Sequence, residues 1–388
     1  MSKLYDMAEN IRTEIEQNTS NYAPNNNLAL LPPSSDIETK AILRKAIAAN
    51  RALADLKNKA DHLTNQDILI SSIVLTEARD SSEIENIVTT ADSLYKASVT
   101  PEIQLDANTK EVRGYNRALW QGMKMIGERP LSTNIFISVV QEIKQDIAGI
   151  RAIPGTVLKN PATGEIVYTP PSGESVIRDK LKNLEDFLYS PQYAEIDPLI
   201  KLAVMHYQFE AIHPFADGNG RAGRIINILW LVQEKLLNRP ILFLSKYFLN
   251  HKEEYYSGLR KVTSAGEWEK WILYVLDAVE QTACDTGELI DKIIDARREC
   301  KDELQTYFPK IYSLDLVETI FSAPYFRMED YLRKNPTISR QTVSRHLHLL
   351  CSPYKRKDNI TAQILKVYRQ GRENIFFNQS MFDILSKR

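Results

Sequence analysis

Glycine is the feature that most restricts this chain. Only 14 occur in 388 residues, and none precedes Gly114. Glycine supplies positive φ and close backbone approach, so a long stretch without it suits continuous helix. Six of them fall in two groups, with Gly155, Gly164 and Gly173 in one segment and Gly218, Gly220 and Gly223 in another. Two special loops are expected there. Apolar spacing predicts helices near residues 35–61, 66–94, 105–126, 133–148, 174–189, 196–212, 219–236, 245–263 and 267–303. Ser35 and Glu38 are spaced as a capping box, and the second helix is expected to break near Asp80–Ser82. The segment 152–171 reads instead as a β-hairpin with a polar turn over Asn160–Glu165. Asn18–Asn27 is an Asn-rich lead-in that is expected to be flexible. The expected fold class is mainly α.

Composition narrows the function class. With 43% hydrophobic residues, 26% charged residues and a net charge of −1, the chain is neither disordered nor a supercharged nucleic-acid coat. Its best apolar run, Ile68–Leu75, is far too short for a membrane helix, so no membrane partner is expected. The opening residues carry no signal pattern, and a reducing cytoplasm is the expected compartment. Cys284, Cys300 and Cys351 are odd in number without C-x-x-C spacing, and read as buried thiols. Charge is uneven: residues 331–388 hold twelve Lys/Arg against three Asp/Glu. A basic C-terminal module on an acidic body is expected, and such modules commonly meet nucleic acid.

The chemistry concentrates in His213-Pro-Phe-Ala-Asp-Gly-Asn-Gly-Arg-Ala-Gly-Arg224. Arg221 and Arg224, at i and i+3 on a helix's first turn, can reach one side together. The preceding glycines let the backbone form a nest of N–H groups at that helix's positive end. Nest, dipole and two guanidiniums make an anion site suited to di- or triphosphate. Asp217 is placed to hold a hard divalent cation, most plausibly Mg²⁺ bridging phosphate oxygens. His213 stands before the loop as a general base that titrates near neutrality. Phe215 reads as an apolar anchor for the loop.

This stretch resembles in full the pattern H-P-F-x-[D/E]-G-N-G-R-x-x-R of the Fic (filamentation induced by cAMP) family. The resemblance implies a helical Fic core covered by a flap, and transfer of AMP from ATP to a hydroxyl side chain of a target protein. It makes His213 the base, Asp217 the Mg²⁺ ligand, and Gly218, Asn219 and Gly220 the α/β-phosphate cradle. Arg221 and Arg224 then hold phosphates, Arg224 the γ-phosphate, and Ala222 and Gly223 complete the nucleotide-binding stretch. Gly220 sets the chain apart from the branch that carries lysine there and transfers phosphate. The hairpin corresponds to the family's flap, where Val167, Tyr168 and Thr169 are the expected docking positions for the target. Asn250 and Tyr255 are expected nucleobase neighbours.

Upstream, Ser81-Ser-Glu-Ile-Glu85-Asn86 resembles the family's inhibitory motif [S/T]-x-x-x-E-[G/N]. Its position implies the class with an N-terminal inhibitory helix. Ser81 and Glu85 share one helix face, and Glu85 can pair in bidentate fashion with Arg224, taking the guanidinium that ATP needs. By the same resemblance, Glu85 can serve removal of AMP from a modified target. His206, inside the apolar run Leu202–Phe209, reads as a satisfied core histidine.

Residues 306–388 read as a winged helix. Val343, Leu347 and Leu350 are expected to face inward, with Arg340, Gln341, Arg345 and His348 outward. The module could dock DNA, a protein or a second copy of the chain as a homodimer. The expected organisation is an N-terminal helical region over 1–100 with the inhibitory helix at about 68–94, a catalytic core over 101–303 with its flap at about 152–171, and the winged helix over 304–388. The expected function is an adenylyltransferase autoinhibited by Glu85 at Arg224. The competing readings are a deAMPylase using the same site and an ATP-sensing DNA-binding regulator.

Overall fold

A computed structural model describes residues 23–61, 66–100, 105–146, 149–159, 163–370 and 373–386. Positions 18–22 of the lead-in, the hairpin tip 160–162 and Gly371 lie outside the described residues, as do 101–104 beside the expected boundary at 100/101. The mainly helical expectation holds, with the few strands confined to the hairpin and the C-terminal module.

α1 (Lys40–Asp61) starts later than the Ser35/Glu38 box suggests. Asp36 accepts the Glu38 N–H at 2.8 Å in a local turn, and the Thr39 hydroxyl faces Ile42 N at 3.4 Å. A short polar side chain that satisfies nearby backbone competes with helix, which delays the start. α2 (Gln66–Ile84) runs through Asp80–Ser82 without the expected break. Those polar residues are buried and held in place: Arg79 pairs with Asp80 at 2.8 Å, and Ser81 takes Arg224. The helix ends at Ile84, and Asn86, with φ 63°, turns the chain away two residues later. α3 (Ala91–Ala97) follows, capped by Thr90.

α4 (Ala107–Ile126, capped by Asp106) and α5 (Thr133–Lys144) pack together, and a left-handed Gln145 ends α5 short of residue 148. β1 (Leu158–Lys159) and β2 (Ile166–Tyr168) form the expected hairpin, pairing Leu158 with Tyr168 and Lys159 with Ile166. α6 (Glu174–Tyr189) leads to α7 (Pro198–Ile212) and α8 (Asn219–Gln233). Both α7 and α8 are buried on nearly every face and form the centre of the core. The expected helix over 245–263 is two, α9 (Leu244–Asn250) and α10 (Lys252–Ala265), separated at His251. α11 (Trp268–Tyr307) is 40 residues long and carries α1 along its length through Lys45–Glu280 at 2.7 Å and Lys59–Asp291 at 2.5 Å.

The C-terminal module contains α12 (Leu314–Ile320), β3 (Tyr325–Arg327), α13 (Met328–Lys334) and α14 (Arg340–Leu350). β4 (Tyr354–Lys355), β5 (Thr361–Ala362), β6 (Lys366–Gln370), β7 (Glu373–Phe377) and α15 (Gln379–Ser386) complete it. β6 and β7 form the wing and join β3 in the antiparallel order β3-β7-β6. Val343, Leu347 and Leu350 are buried as expected. The module rests on α2 and α3: the Ser72 hydroxyl faces Ser322 O at 3.3 Å, Tyr325 donates to Asp92 at 2.5 Å, and Tyr95 meets Phe382 edge-on. One cysteine expectation is corrected, since Cys284 lies on the exposed face of α11 while Cys300 is buried. The lead-in is likewise tied down where described: Asn25 N donates to Thr169 O at 3.0 Å, and Asn26 accepts from Ser172 N at 2.8 Å.

Candidate active site

The site is built where α7 ends and α8 begins. His213 is the residue that ends α7, in left-handed backbone at φ 49° and ψ 60°. That conformation is uncommon outside glycine and persists where neighbours enforce it. Arg151, 6% exposed at the root of the hairpin, supplies the constraint. Its Nε donates to His213 O at 2.7 Å, its Nη2 to Ile212 O at 3.2 Å and to Pro171 O, and its backbone N to Pro214 O at 2.9 Å. One buried guanidinium thus fastens flap, helix end and base. Burial and the Arg151 charge push the His213 imidazole down to about 4, so it is neutral at physiological pH.

The loop that follows is clamped from within. Asn219 Oδ1 accepts Phe215 N at 2.9 Å while its Nδ2 donates to Phe215 O at 2.8 Å, and Phe215 is buried. Gly218, at φ 83°, turns the chain into α8, and its N–H donates to Asp217 Oδ1 at 2.5 Å. The first turn of α8 then presents backbone N–H groups without helical partners, the physical basis of an anion site. Gly220 is required for a different reason: a Cβ there would overlap the Glu85 carboxylate and lie 3.0 Å from Arg224 Nη1.

Arg221, in this first turn, and Arg224, one turn further along, are both buried. Arg224 Nε donates to the Ser81 hydroxyl at 2.7 Å, and its Nη2 donates to Ser81 O and to Glu85 Oε1, each at 2.8 Å. The pairing is therefore not bidentate as the spacing suggested. The second Glu85 oxygen lies 3.8 Å from Arg221 Nε, so one carboxylate straddles both arginines. Glu85 sits just past the last helical residue of α2, in the turn closed by its own N–H to Ser82 O at 3.0 Å. Burial opposes the Arg224 charge, but Glu85 and its neighbours hold the guanidinium above its ordinary range.

Arg221 has its own counter-ion, Glu111 of α4, at 2.6 Å from Nη1. Asp217, with its side chain 58% exposed, has Lys144 Nζ at 2.5 Å from Oδ2. Burial pushes the Asp217 carboxyl up, and Lys144 together with Arg221 brings it net below the usual carboxylate range. No group of three or more His, Cys, Asp or Glu gathers as a metal site among the described residues. A lone, exposed carboxylate that already holds a cationic group nevertheless fits Mg²⁺, which commonly takes one or two carboxylates and completes its shell with water and phosphate oxygens.

In the flap, Val167 is exposed, the Tyr168 hydroxyl donates to Ala211 O at 2.8 Å, and Thr169 lies beside Asn25. Asn250 is exposed at the end of α9. Tyr255 is 2% exposed, and its hydroxyl meets His206 Nε2 at 3.0 Å. Its neighbour Tyr256 is the one that stands partly exposed, within electrostatic reach of Arg224, Glu85 and Glu210. His206 is buried and stacked on Phe248, as expected of a core histidine, and burial pushes it down to about 3. The sequence reading missed Arg151, Lys144 and Glu111, because each reaches the site from an element remote in sequence.

Comparison with known proteins places the chain among relatives. Residues 43–124 match the Fic/DOC family N-terminal model, 130–231 the Fic/DOC family model, and 297–381 the C-terminal domain of SoFic-like protein adenylyltransferases. The chain is 32% identical over 108 residues to protein adenylyltransferase fic-1 of Caenorhabditis elegans, covering 28% of this chain and 20% of that one. It is 26% identical over 210 residues to a probable protein adenylyltransferase of Aquifex aeolicus (strain VF5), covering 53% and 57% respectively. It thus spans less than two thirds of the length of these curated relatives. The fold resembles the crystal structure of a Fic family protein from Desulfovibrio desulfuricans G20, with TM-score 0.54, 18% identity and coverage of 90% of this chain and 98% of that one. Three successive family modules on one chain, with an uninterrupted 213–224 loop at the centre of the helical core, establish that this protein belongs to the Fic family.

Proposed function

We propose that the protein transfers AMP from ATP to a hydroxyl side chain of a target protein, and that Glu85 restrains this reaction. The observation that carries the reading is His213, fastened by Arg151 at the end of α7, directly before a helix N-terminus bearing two buried arginines. In the reaction, His213 takes the proton of the target hydroxyl as its oxygen attacks the α-phosphorus, and the bond to the departing pyrophosphate breaks. Arg221, Arg224 and the first N–H groups of α8 bind and orient the phosphates, and stabilise the charge that develops on them. Asp217 is the residue that would hold Mg²⁺, which when bound supplies neutralisation of phosphate charge. Val167–Thr169 would align the target segment along the hairpin edge, with Gly220 leaving the space that Glu85 occupies at rest.

Glu85 supports a brake because it stands where nucleotide phosphates belong, on both arginines at once. The three unpaired thiols suit a reducing cytoplasm. The C-terminal module is read as a docking element. Its outward Arg340 is paired with Glu329 at 2.6 Å, and Leu349 on the same helix is 46% exposed, so a protein surface is favoured over DNA as its partner.

The test is AMP transfer from α-labelled ATP by wild type, Glu85→Gly and Glu85→Gly/His213→Ala. Label that rises in the single variant and disappears in the double supports chemistry and brake together. Absence of label in every form, with AMP released from a premodified target in a Glu85-dependent way, would reverse the direction and make the protein an eraser.

A further inference from the structure

We propose that Lys144 is a resident competitor for the metal carboxylate, so that a divalent cation enters Asp217 by exchange with the ammonium. The proposal rests on the reading of Asp217 as the metal ligand. Lys144 is the last residue of α5, and its Nζ lies 2.5 Å from Asp217 Oδ2 and 3.3 Å from Glu111 Oε1. Glu111 takes Arg221 Nη1 at 2.6 Å, and Arg221 Nη2 returns to Asp217 Oδ1 at 3.5 Å. Asp217, Lys144, Glu111 and Arg221 therefore close a ring of alternating charge beside the α8 N-terminus.

In this ring the ammonium occupies Oδ2 of Asp217. The other oxygen already accepts the Gly218 N–H. A divalent ion on Oδ2 would stand within a few ångströms of the ammonium, where like charges repel strongly. Lys144 has to leave, and Glu111 is the carboxylate within its reach. Because the Asp217 and Lys144 side chains are 58% and 25% exposed, the displaced contact is a partly solvated one, and its loss is modest. The ring thereby holds the metal carboxylate in a charge-paired state until the cation arrives, and it sets a higher cation concentration for loading.

The experiment measures Mn²⁺ binding to the full, nucleotide-free chain by water-proton relaxation, in wild type, Lys144→Met, Lys144→Arg and Asp217→Asn. Lys144→Met keeps the chain length and removes the charge, and is expected to tighten Mn²⁺ binding about two- to fivefold. Lys144→Arg is expected to bind as wild type does. An unchanged or weakened affinity in Lys144→Met, with its melting temperature intact, overturns the competition. Binding at wild-type strength in Asp217→Asn overturns instead the assignment of the metal carboxylate, and with it the basis of the proposal.

Discussion

The two ends of the phosphate site hold their charges differently. At the inner end, Arg224 is 2% exposed and is held by Ser81 in the last turn of α2 and by Glu85 just beyond it. At the outer end, Asp217 is open to solvent and a lysine side chain rests on it. A hydrogen bond to a buried charge contributes about 1.5–3 kcal/mol, and a surface ion pair rarely more than about 1 kcal/mol. On the function proposed above, the inner end is the lock and the outer end an adjustment. On that reading, regulation of nucleotide entry would reside at the C-terminal end of α2, and the concentration at which a cation loads would be tuned by α5.

The comparison is sharpened most by removing the base, which belongs to neither end. In the Glu85→Gly background, His213→Ala is expected to lower transfer about 10²- to 10⁴-fold while ATP still binds. Loss of binding along with transfer would make His213 a structural residue of the loop. Glu85→Gly itself should tighten ATP about tenfold to hundredfold by calorimetry, the range set by one hydrogen-bonded contact to a buried charge. An unchanged affinity would break the comparison, since the inner end would then be no lock.

Arg151→Met tests what fixes the base. It removes the anchor of the left-handed His213 backbone, and transfer should fall about tenfold with ATP affinity unchanged. The pH profile adds a second readout. With the imidazole pushed down to about 4 by burial and by Arg151, the acid limb of kcat/KM in Glu85→Gly should lie below pH 5. Taking away the Arg151 charge favours the imidazolium, so the limb should move up in pH. A limb near the ordinary histidine range in both proteins would remove Arg151 from the account.

How much of this could be read before the fold was in hand depends on sequence distance. The 213–224 loop was legible because its ingredients are contiguous, and the winged helix because its apolar spacing is regular. Glu85 was legible through its motif, yet its straddling of two arginines was not, since that depends on where α2 ends. Arg151, Lys144 and Glu111 carry no local signal: a lone Arg, Lys or Glu on an amphipathic element looks like any solvated charge. The expected break at Asp80–Ser82 failed because tertiary partners satisfy those polar side chains in a buried helix. The nucleobase positions Asn250 and Tyr255 rest on the family resemblance alone, and a tyrosine's place in the core is not legible locally: Tyr255 is buried against His206 while Tyr256 is partly exposed.

The smallest expected effect concerns how α2 is anchored behind the lock. Glu77, two turns before Glu85, is 1% exposed, accepts the Tyr115 hydroxyl at 3.0 Å and Ser245 N at 3.2 Å, and meets the Ser245 hydroxyl at 2.5 Å. Burial pushes its carboxyl up to about 8, against those hydrogen bonds. A carboxyl raised in the folded state binds its proton more tightly there than in the unfolded chain. Its contribution is fully present below about 4.5, the unfolded value, and is lost as pH climbs towards 8. Glu210, pushed up to about 7 when folded, and the imidazoles of His213 and His206, which regain their ordinary range on unfolding, also change protonation across this window, so the comparison is made between two proteins. Those groups are common to wild type and Glu77→Gln, so the difference between the two isolates this carboxyl. Denaturant unfolding at pH 5 and pH 8 should show wild type losing stability relative to Glu77→Gln, with a slope no steeper than about 1.4 kcal/mol per pH unit. Parallel pH dependences would mean that Glu77 is ionised throughout and that its hydrogen bonds outweigh its burial, leaving α2 anchored there by a buried charge.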